Sequence, residues 1–294
     1  MLGASSLIPN FNMRARKEAL TSSFQDLEDS LRNAHNFREK LQHHQLCIGV
    51  GITFYDPTVT DALSSLLDFV WIDMEHNALT LETVQGHIMA TQGSDTAAIV
   101  RVPSHDPAMI KTVLDIGADG IIAPNVRTSD EARKVVAACR YPPIGIRGYG
   151  PRRPSGYGRI GGPDFCRAAN EAVLAIAQIE HIDAIQNIDE ILAVQGLDSI
   201  VFGPNDLSGS MGFMGEPKKP EVVKAMETVI SKAKATKIYI GSGAGNPDES
   251  DLWVRRGVDW ILIATDFSLM VTTAAKAVDT IRSWATTSSS KVNG

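Results

Sequence analysis

Eight short apolar runs punctuate the chain: Cys47–Ile52, Phe69–Met74, Ala97–Val102, Gly120–Ala123, Val173–Ile179, Ser199–Gly203, Lys237–Ile240 and Trp260–Ala264. Most are nearly continuous rather than alternating, the pattern of strands covered on both faces, as in a parallel sheet. Between them lie stretches of helical period near 57–67, 80–92, 107–116, 128–139, 182–194, 219–235 and 247–256, with a last one over about 266–285. Gly, Pro, Asn or Asp stands at many of the joins. This alternation predicts an α/β chain folded as a (β/α)8 TIM barrel rather than an open doubly wound sheet. Ahead of the first run, Leu27, Leu31, Phe37 and Leu41 are spaced for a short amphipathic helix. Residues 1–25 read as a loosely held extension, 26–287 as the barrel domain and 288–294 as a tail.

One segment breaks the rhythm. Residues 141–163, YPPIGIRGYGPRRPSGYGRIGGP, are too rich in Gly and Pro for a helix and carry four arginines and three tyrosines. A loop of this length is usually functional or disordered. Its composition favours a lid or a subunit contact over a plain surface loop.

Composition narrows the function. With 294 residues, 44% of them hydrophobic and 21% charged, the chain can build a large core without disulfide or metal staples. A net charge of -6 argues against a nucleic-acid partner, which needs a basic face. Cys47, Cys139 and Cys166 are odd in number and far apart, which fits a reducing compartment. No apolar run approaches the roughly 20 residues of a membrane span. The first residues lack the basic start and apolar core of a signal peptide. Arg14, Arg16 and Lys17 hint at a transit segment, but Glu18, Asp26, Glu28 and Asp29 count against one. A cytoplasmic protein without membrane attachment is expected.

In a barrel of this type the reactive groups sit at the C-terminal strand ends. The run ends supply Asp73, Glu75 and His76, then Arg101, Asn125, Gln178, Glu180 and His181, Asn205 and Asp206, and Asp266. Alternation puts Gln178 and Glu180 on one strand face. Glu180 and Asp206 are oxygen donors with no cysteine or histidine cluster beside them, so they suit a hard octahedral cation such as Mg2+ or Mn2+, with Co2+ a further option. Arg101 would face negative charge developing on a substrate, and His76 near Asp73 has the arrangement of an oriented base. Taken singly, any of these carboxylates has a plainer reading as a salt bridge or a cap, and Asp206 in PNDLS can cap the next turn. No strand-end lysine is evident for Schiff-base chemistry.

The segments FVWIDMEHN (69–77), IVRVP (99–103), DIGADGIIAPNVRTSDEA (115–132), YPPIGIRGYG (141–150), AIAQIEH (175–181) and VFGPNDLS (201–208) resemble, in order and spacing, the HpcH/HpaI aldolase family. These are metal-dependent class II pyruvate aldolases, a group that includes macrophomate synthase. The resemblance implies metal ligation by Glu180 and Asp206, enolate stabilisation by Arg101, and proton transfer by His76 with Asp73 as its partner. It also implies that Gln178 lines the pyruvate pocket, and Asn205 is assigned to the substrate side with it. A barrel of the phosphoenolpyruvate/pyruvate type is implied, with its last helix exchanged between subunits of a homohexamer. Asn77 and the paired Arg152–Arg153 depart from the usual pattern and are expected near the second substrate.

The function implied is cleavage, and reversible formation, of 4-hydroxy-2-oxo acids to pyruvate and an aldehyde through an enolate held on the metal. Two alternatives stand beside it. One is an oxaloacetate decarboxylase or a macrophomate-synthase-like enzyme using the same enolate, with the 146–159 loop serving the acceptor. The other is a barrel that binds without catalysis. GSGAG (241–245) lacks dinucleotide spacing and reads as turn chemistry or room for a carboxylate. His43, His44 and His181 read as surface or structural residues, and Trp71 and Trp260 as packing.

Overall fold

The computed structural model describes residue 27 and residues 29–292, so the expectation for 1–25 lies outside the described residues. In chain order the elements are α1 (Arg32–Gln42), β1 (Cys47–Ile52), α2 (Thr58–Ser64), β2 (Phe69–Asp73), α3 (Leu81–Ala90), β3 (Ala97–Arg101), α4 (Pro107–Asp115), β4 (Gly120–Ala123), α5 (Ser129–Cys139) and α6 (Gly162–Ala172). They continue with β5 (Leu174–Ile179), α7 (Ile182–Gln186), α8 (Ile188–Leu192), β6 (Ser199–Phe202), α9 (Pro204–Ser210), α10 (Pro220–Ala233), β7 (Tyr239–Gly243), α11 (Pro247–Arg255), β8 (Trp260–Thr265) and α12 (Asp266–Val292). The strands pair in sequence order, all parallel, and β8 closes on β1. The expected (β/α)8 barrel is the fold.

Several boundaries differ from the sequence reading. The stretch 182–194 is two short helices, and the seventh strand lies at Tyr239–Gly243 rather than 237–240. Helix α6 was unexpected: Gly161 is its cap and Pro163 stands in its first turn, a start signal hidden in the glycine-rich run. Helix α9 has seven residues, too few to show a period. The last helix runs on to Val292, into the segment read as a tail.

Alternation sorts each strand into two cores. Phe69, Trp71, Ile99, Ile122, Leu174, Ile176, Val201 and Trp260 fill the barrel, while Val70, Ile72, Val100, Ile121 and Ile200 belong to the core shared with the helices. The barrel is dense with rings: Phe69 meets Trp260 edge-on at 5.3 Å, and Trp260 donates from its indole nitrogen to the Ser199 hydroxyl at 2.9 Å. A Cβ at Gly49 or Gly241 would run into Phe69 or Trp260, so glycine is what lets these rings fit. Removing the Phe69 ring would cost about 3–5 kcal/mol.

Helix α1 closes the strand-start end. Phe37 and Leu41 belong to the barrel's inner core, Phe37 lying 5.5 Å from Phe69. Around them, Arg38 donates to Asp198 (2.8 Å) and to the Val173 carbonyl (3.1 Å), Lys40 to Asp68 (2.6 Å), and Asn33 to the Thr96 carbonyl (2.9 Å). Each acceptor stands just before a strand, which places α1 opposite the catalytic end.

The long loop packs at this same end. Arg147 donates to Asp115 at 2.9 Å and lies 4.4 Å over the Tyr141 ring, and the Ser30 hydroxyl donates to the Pro154 carbonyl. The charge of Arg153 acts on Asp119, just before β4. Arg152 and Arg153 therefore do not flank this subunit's own cavity, and the expectation that the 146–159 loop lies near the second substrate is corrected for the single subunit. The cause is topological: a connection leading from a helix to the next strand in a barrel emerges at the strand-start face.

Helix α12 stands away from the barrel. Phe267, Met270, Val271, Val278 and Ile281 recur at helical spacing and are all exposed, leaving an apolar stripe uncovered in the single chain. Among the described residues no helix is long and apolar enough to cross a membrane.

Candidate active site

A cavity of about 860 Å3 opens at the C-terminal strand ends. Its lining includes Asp73, His76, Arg101, Gln178, Asn205 and Asp206, the residues picked out from the run ends, with Trp71 as part of its floor. Trp71 is thus both packing and wall, and the Arg101 guanidinium lies 5.2 Å from its ring. Trp260 is core alone.

Glu180 follows directly on β5 and is 5% exposed. One of its oxygens accepts from the Asn125 backbone N–H at 2.6 Å, and the other from the Gln178 amide. Asn125 makes the first contact with a left-handed backbone, φ 54°, which asparagine tolerates better than most residues. Burial pushes the Glu180 carboxyl up to about 7, and the charges of Glu75 and Asp206 add to that, against the two hydrogen bonds. Gly203 is needed beside it, because a Cβ there would collide with Glu180 and Gln178. The Gln178 carbonyl oxygen is buried without a partner among the described residues. Asp206 lies in the first turn of α9, is exposed, and makes no cap. The alternative of Asp206 as a helix cap therefore falls.

Arg101 ends β3 and is held at two points. Its Nε donates to Asp73 Oδ1 at 2.8 Å, and one terminal nitrogen lies 3.1 Å from Glu75 Oε2. Asp73 also accepts from the Glu75 N–H (3.1 Å) and from the Asn77 amide (2.7 Å). Burial works against ionisation, but the bond and charge from Arg101 hold Asp73 below the usual carboxylate range. Glu75 is pushed up, chiefly by burial. The carboxylate nearest His76 is Glu75, at 3.7 Å, and His76 is exposed at the cavity. Asp73 therefore serves Arg101 in this structure, while Asn77 braces Asp73 rather than facing a second substrate.

Glu75 and Asn125 were visible at run ends but carried no assigned role. Alternation already pairs Glu75 with Asp73 on one strand face in the sequence; what it does not give is the contact of both with Arg101. His181 caps α7, its Nδ1 accepting from Asp183 N–H at 3.1 Å, as a structural residue should. His43 and His44 are exposed at the other end of the barrel.

Glu75, Glu180 and Asp206 act on one another electrostatically, with Arg101 as their close cation. An excess of negative charge at the cavity, one carboxylate of it buried, invites a cation. Among the described residues no group of three His, Cys, Asp or Glu forms a ready-made ligand cage. The donor set therefore fits an ion bound through one or two carboxylates, with water or substrate completing the shell.

Comparison with known proteins agrees with the barrel fold. The family model described as HpcH/HpaI aldolase/citrate lyase matches residues 56–275. A 4-hydroxy-2-oxo-heptane-1,7-dioate aldolase of Salmonella dublin is 34% identical over 237 residues, 80% of this chain and 89% of that one. The crystal structure of an HpcH/HpaI aldolase from Desulfitobacterium hafniense superposes with a TM-score of 0.79 at 31% identity, covering 83% of this chain and 96% of that one. Macrophomate synthase superposes with a TM-score of 0.74 at 28% identity, covering 85% and 90%. With the family model matching residues 56–275, a relative 34% identical over 80% of the chain and the same barrel in a solved member, the chain belongs to the HpcH/HpaI aldolase/citrate lyase family.

Proposed function

We propose that the chain is a class II aldolase, a carbon–carbon lyase that cleaves 4-hydroxy-2-oxo acids to pyruvate and an aldehyde and runs the reverse addition. The observation that carries this is the meeting of His76, Arg101, Gln178 and Asp206 in one cavity with Glu180 buried beside it. Glu180 and Asp206 would hold a divalent cation, with Mg2+ first and Mn2+ or Co2+ as substitutes; when bound it supplies Lewis-acid polarisation of the 2-oxo group.

The chain's own residues do the rest. Arg101, fixed by Asp73 and Glu75, offers donors to the oxygen that gains charge as pyruvate enolate forms. The free carbonyl oxygen of Gln178 accepts a donor from the bound substrate or its water. His76 takes the proton of the 4-hydroxyl as the C3–C4 bond breaks, and returns it to C3 of the enolate or to solvent. Asn205 lines the substrate side.

The structural likeness to macrophomate synthase supports a second reading, in which loss of CO2 from oxaloacetate yields the same enolate. The test is turnover of a 4-hydroxy-2-oxo diacid against oxaloacetate at saturating Mg2+. Preference for oxaloacetate would favour the second reading, and no turnover of either would leave a binding barrel.

The exposed stripe on α12 supports a homo-oligomer in which this helix packs on another subunit, with a hexamer as the assembly the family resemblance implies. A cytoplasmic location agrees with three unpaired cysteines.

A further inference from the structure

Every group assigned to the reaction comes from β2, β3, β5 or β6 and the turns after them. The seam where β8 closes on β1 also lines the cavity, through Gly51, Thr53 and Thr265. Gly49 pairs with Leu262 but Gly51 pairs with Thr265, so β8 carries one residue more than β1 at this end. Gly51 with Thr265 is the last rung, and the N–H groups of Thr53 and Phe54 turn to another acceptor.

Asp266, 5% exposed at the root of α12, supplies it. One of its oxygens accepts from the Thr53 N–H at 2.8 Å and the Phe54 N–H at 3.0 Å. The other accepts from the Thr53 hydroxyl at 2.6 Å and the Phe267 N–H at 2.8 Å. The Phe54 peptide is held from its other side too. Its carbonyl lies 3.0 Å from Nε2 of His87, which is buried in α3 with its Nδ1 2.8 Å from the Thr60 hydroxyl. A carbonyl can only accept, so Nε2 carries the proton. The β1–α2 connection is thus fixed between α12 and α3.

Thr53 is where this arrangement meets the cavity. It follows Ile52, which pairs with Ile72, so it stands beside Asp73, and alternation turns Gly51, Thr53, Trp71 and Asp73 to the same interior. All four contacts of Asp266 are with donors, so the hydroxyl proton of Thr53 is committed to the carboxylate. On the cavity side the Thr53 oxygen is left as an acceptor.

Resting on the aldolase reading, we propose that Asp266 is a positioning residue: it fixes the β1 wall of the active site and presents the Thr53 oxygen as an acceptor for the water held around a bound 2-oxo acid. The wall takes no part in making or breaking bonds, so its loss weakens binding of substrate and transition state alike. Asp266→Asn probes this directly, because asparagine offers one acceptor oxygen and an amide that donates. The arrangement that loses least keeps the oxygen on the N–H groups of Thr53 and Phe54 and turns the amide to the Thr53 hydroxyl. That hydroxyl then accepts and sends its own proton into the cavity, while the Phe267 N–H alone is left without its partner. One near-isosteric change inverts the polarity of Thr53.

The test is exchange of pyruvate methyl protons with deuterium by the Mg2+-loaded full chain, followed by NMR over a range of pyruvate concentrations. Asp266→Asn and Thr53→Val should each raise KM by about threefold to tenfold and leave kcat within about threefold, the scale of one hydrogen bond in binding. The double variant should be no worse than Asp266→Asn alone, because both changes act through one hydroxyl. Thr53→Ser restores that hydroxyl and should return KM close to the wild-type value. A merely structural Asp266 would lower the active fraction, so that kcat falls with KM unchanged, and that result would overturn the assignment. So would losses that multiply in the double variant, since Asp266 would then not act through Thr53. No exchange by the wild type removes the aldolase reading and the positioning role with it, whereas exchange with an unshifted KM in Asp266→Asn removes the positioning role alone.

Discussion

The Nε of Arg101 donates to Oδ1 of Asp73 at 2.8 Å, so this carboxylate works through the arginine and not through His76. The consequence can be measured. Asp73→Asn weakens a charge-assisted bond and should lower aldol cleavage and oxaloacetate decarboxylation by a similar factor, about tenfold. His76→Ala should lower cleavage by about 10²-fold or more, because a positioned base is lost, while decarboxylation, which removes no hydroxyl proton, stays within a few fold. A split for Asp73→Asn like that of His76→Ala would restore the pairing expected from sequence.

Arg101→Lys keeps the charge but loses the planar fork that engages Asp73 and Glu75 together. Turnover in both reactions should fall at least about tenfold with cation affinity little changed. A near-normal rate, with binding checked by calorimetry, would make Arg101 a structural residue.

Chelation should abolish activity, and Mg2+ or Mn2+ should restore it. The same ions should raise the melting temperature of the wild type, since a ligand bound only to the folded state stabilises it. Glu180→Gln should lose that increment. Full activity in excess EDTA would end the metal assignment.

Much of this site was legible before the structure. Glu180, Asp206, Arg101 and His76 are polar residues at the ends of apolar runs, and a parallel barrel puts all such ends on one face. What sequence order could not show was side-chain direction. His76 is close to Asp73 in the chain, but β2 ends at Asp73 and the chain turns there, so both line the cavity while the aspartate bonds Arg101 and the nearest carboxylate to the histidine is Glu75. The 141–163 loop misled through its composition: its paired arginines depart from the family pattern and were expected near the second substrate, whereas their position after α5 sends them to the other end of the barrel. Helix α6 was hidden because Gly161, Gly162 and Pro163 look like more loop.

The stripe of Met270, Val271, Val278 and Ile281 predicts an assembly that depends on α12. Val278→Asp with Ile281→Asp should lower the mass seen by light scattering while leaving the barrel's circular dichroism unchanged. An unaltered mass would show that α12 does not hold subunits together.

Asp119 should impose a pH dependence on stability. Burial raises its carboxyl to about 7, against the Ala98 N–H bond and the charge of Arg153. In the unfolded chain the same group releases its proton near pH 4, about the ordinary aspartate value. Between about pH 4 and 7 the folded state therefore holds a proton that the unfolded state has given up. Stability from this group falls as pH rises through that window, and it is level above and below it. Asp119→Asn keeps an oxygen for the Ala98 N–H, 2.8 Å away in the wild type, and removes the titration. Urea unfolding of both proteins at about pH 4.5, 6 and 7.5 should show the asparagine variant gaining on the wild type as pH rises. A constant difference, or one that runs the other way, would mean that Asp119 is already ionised in the fold and paired with Arg153.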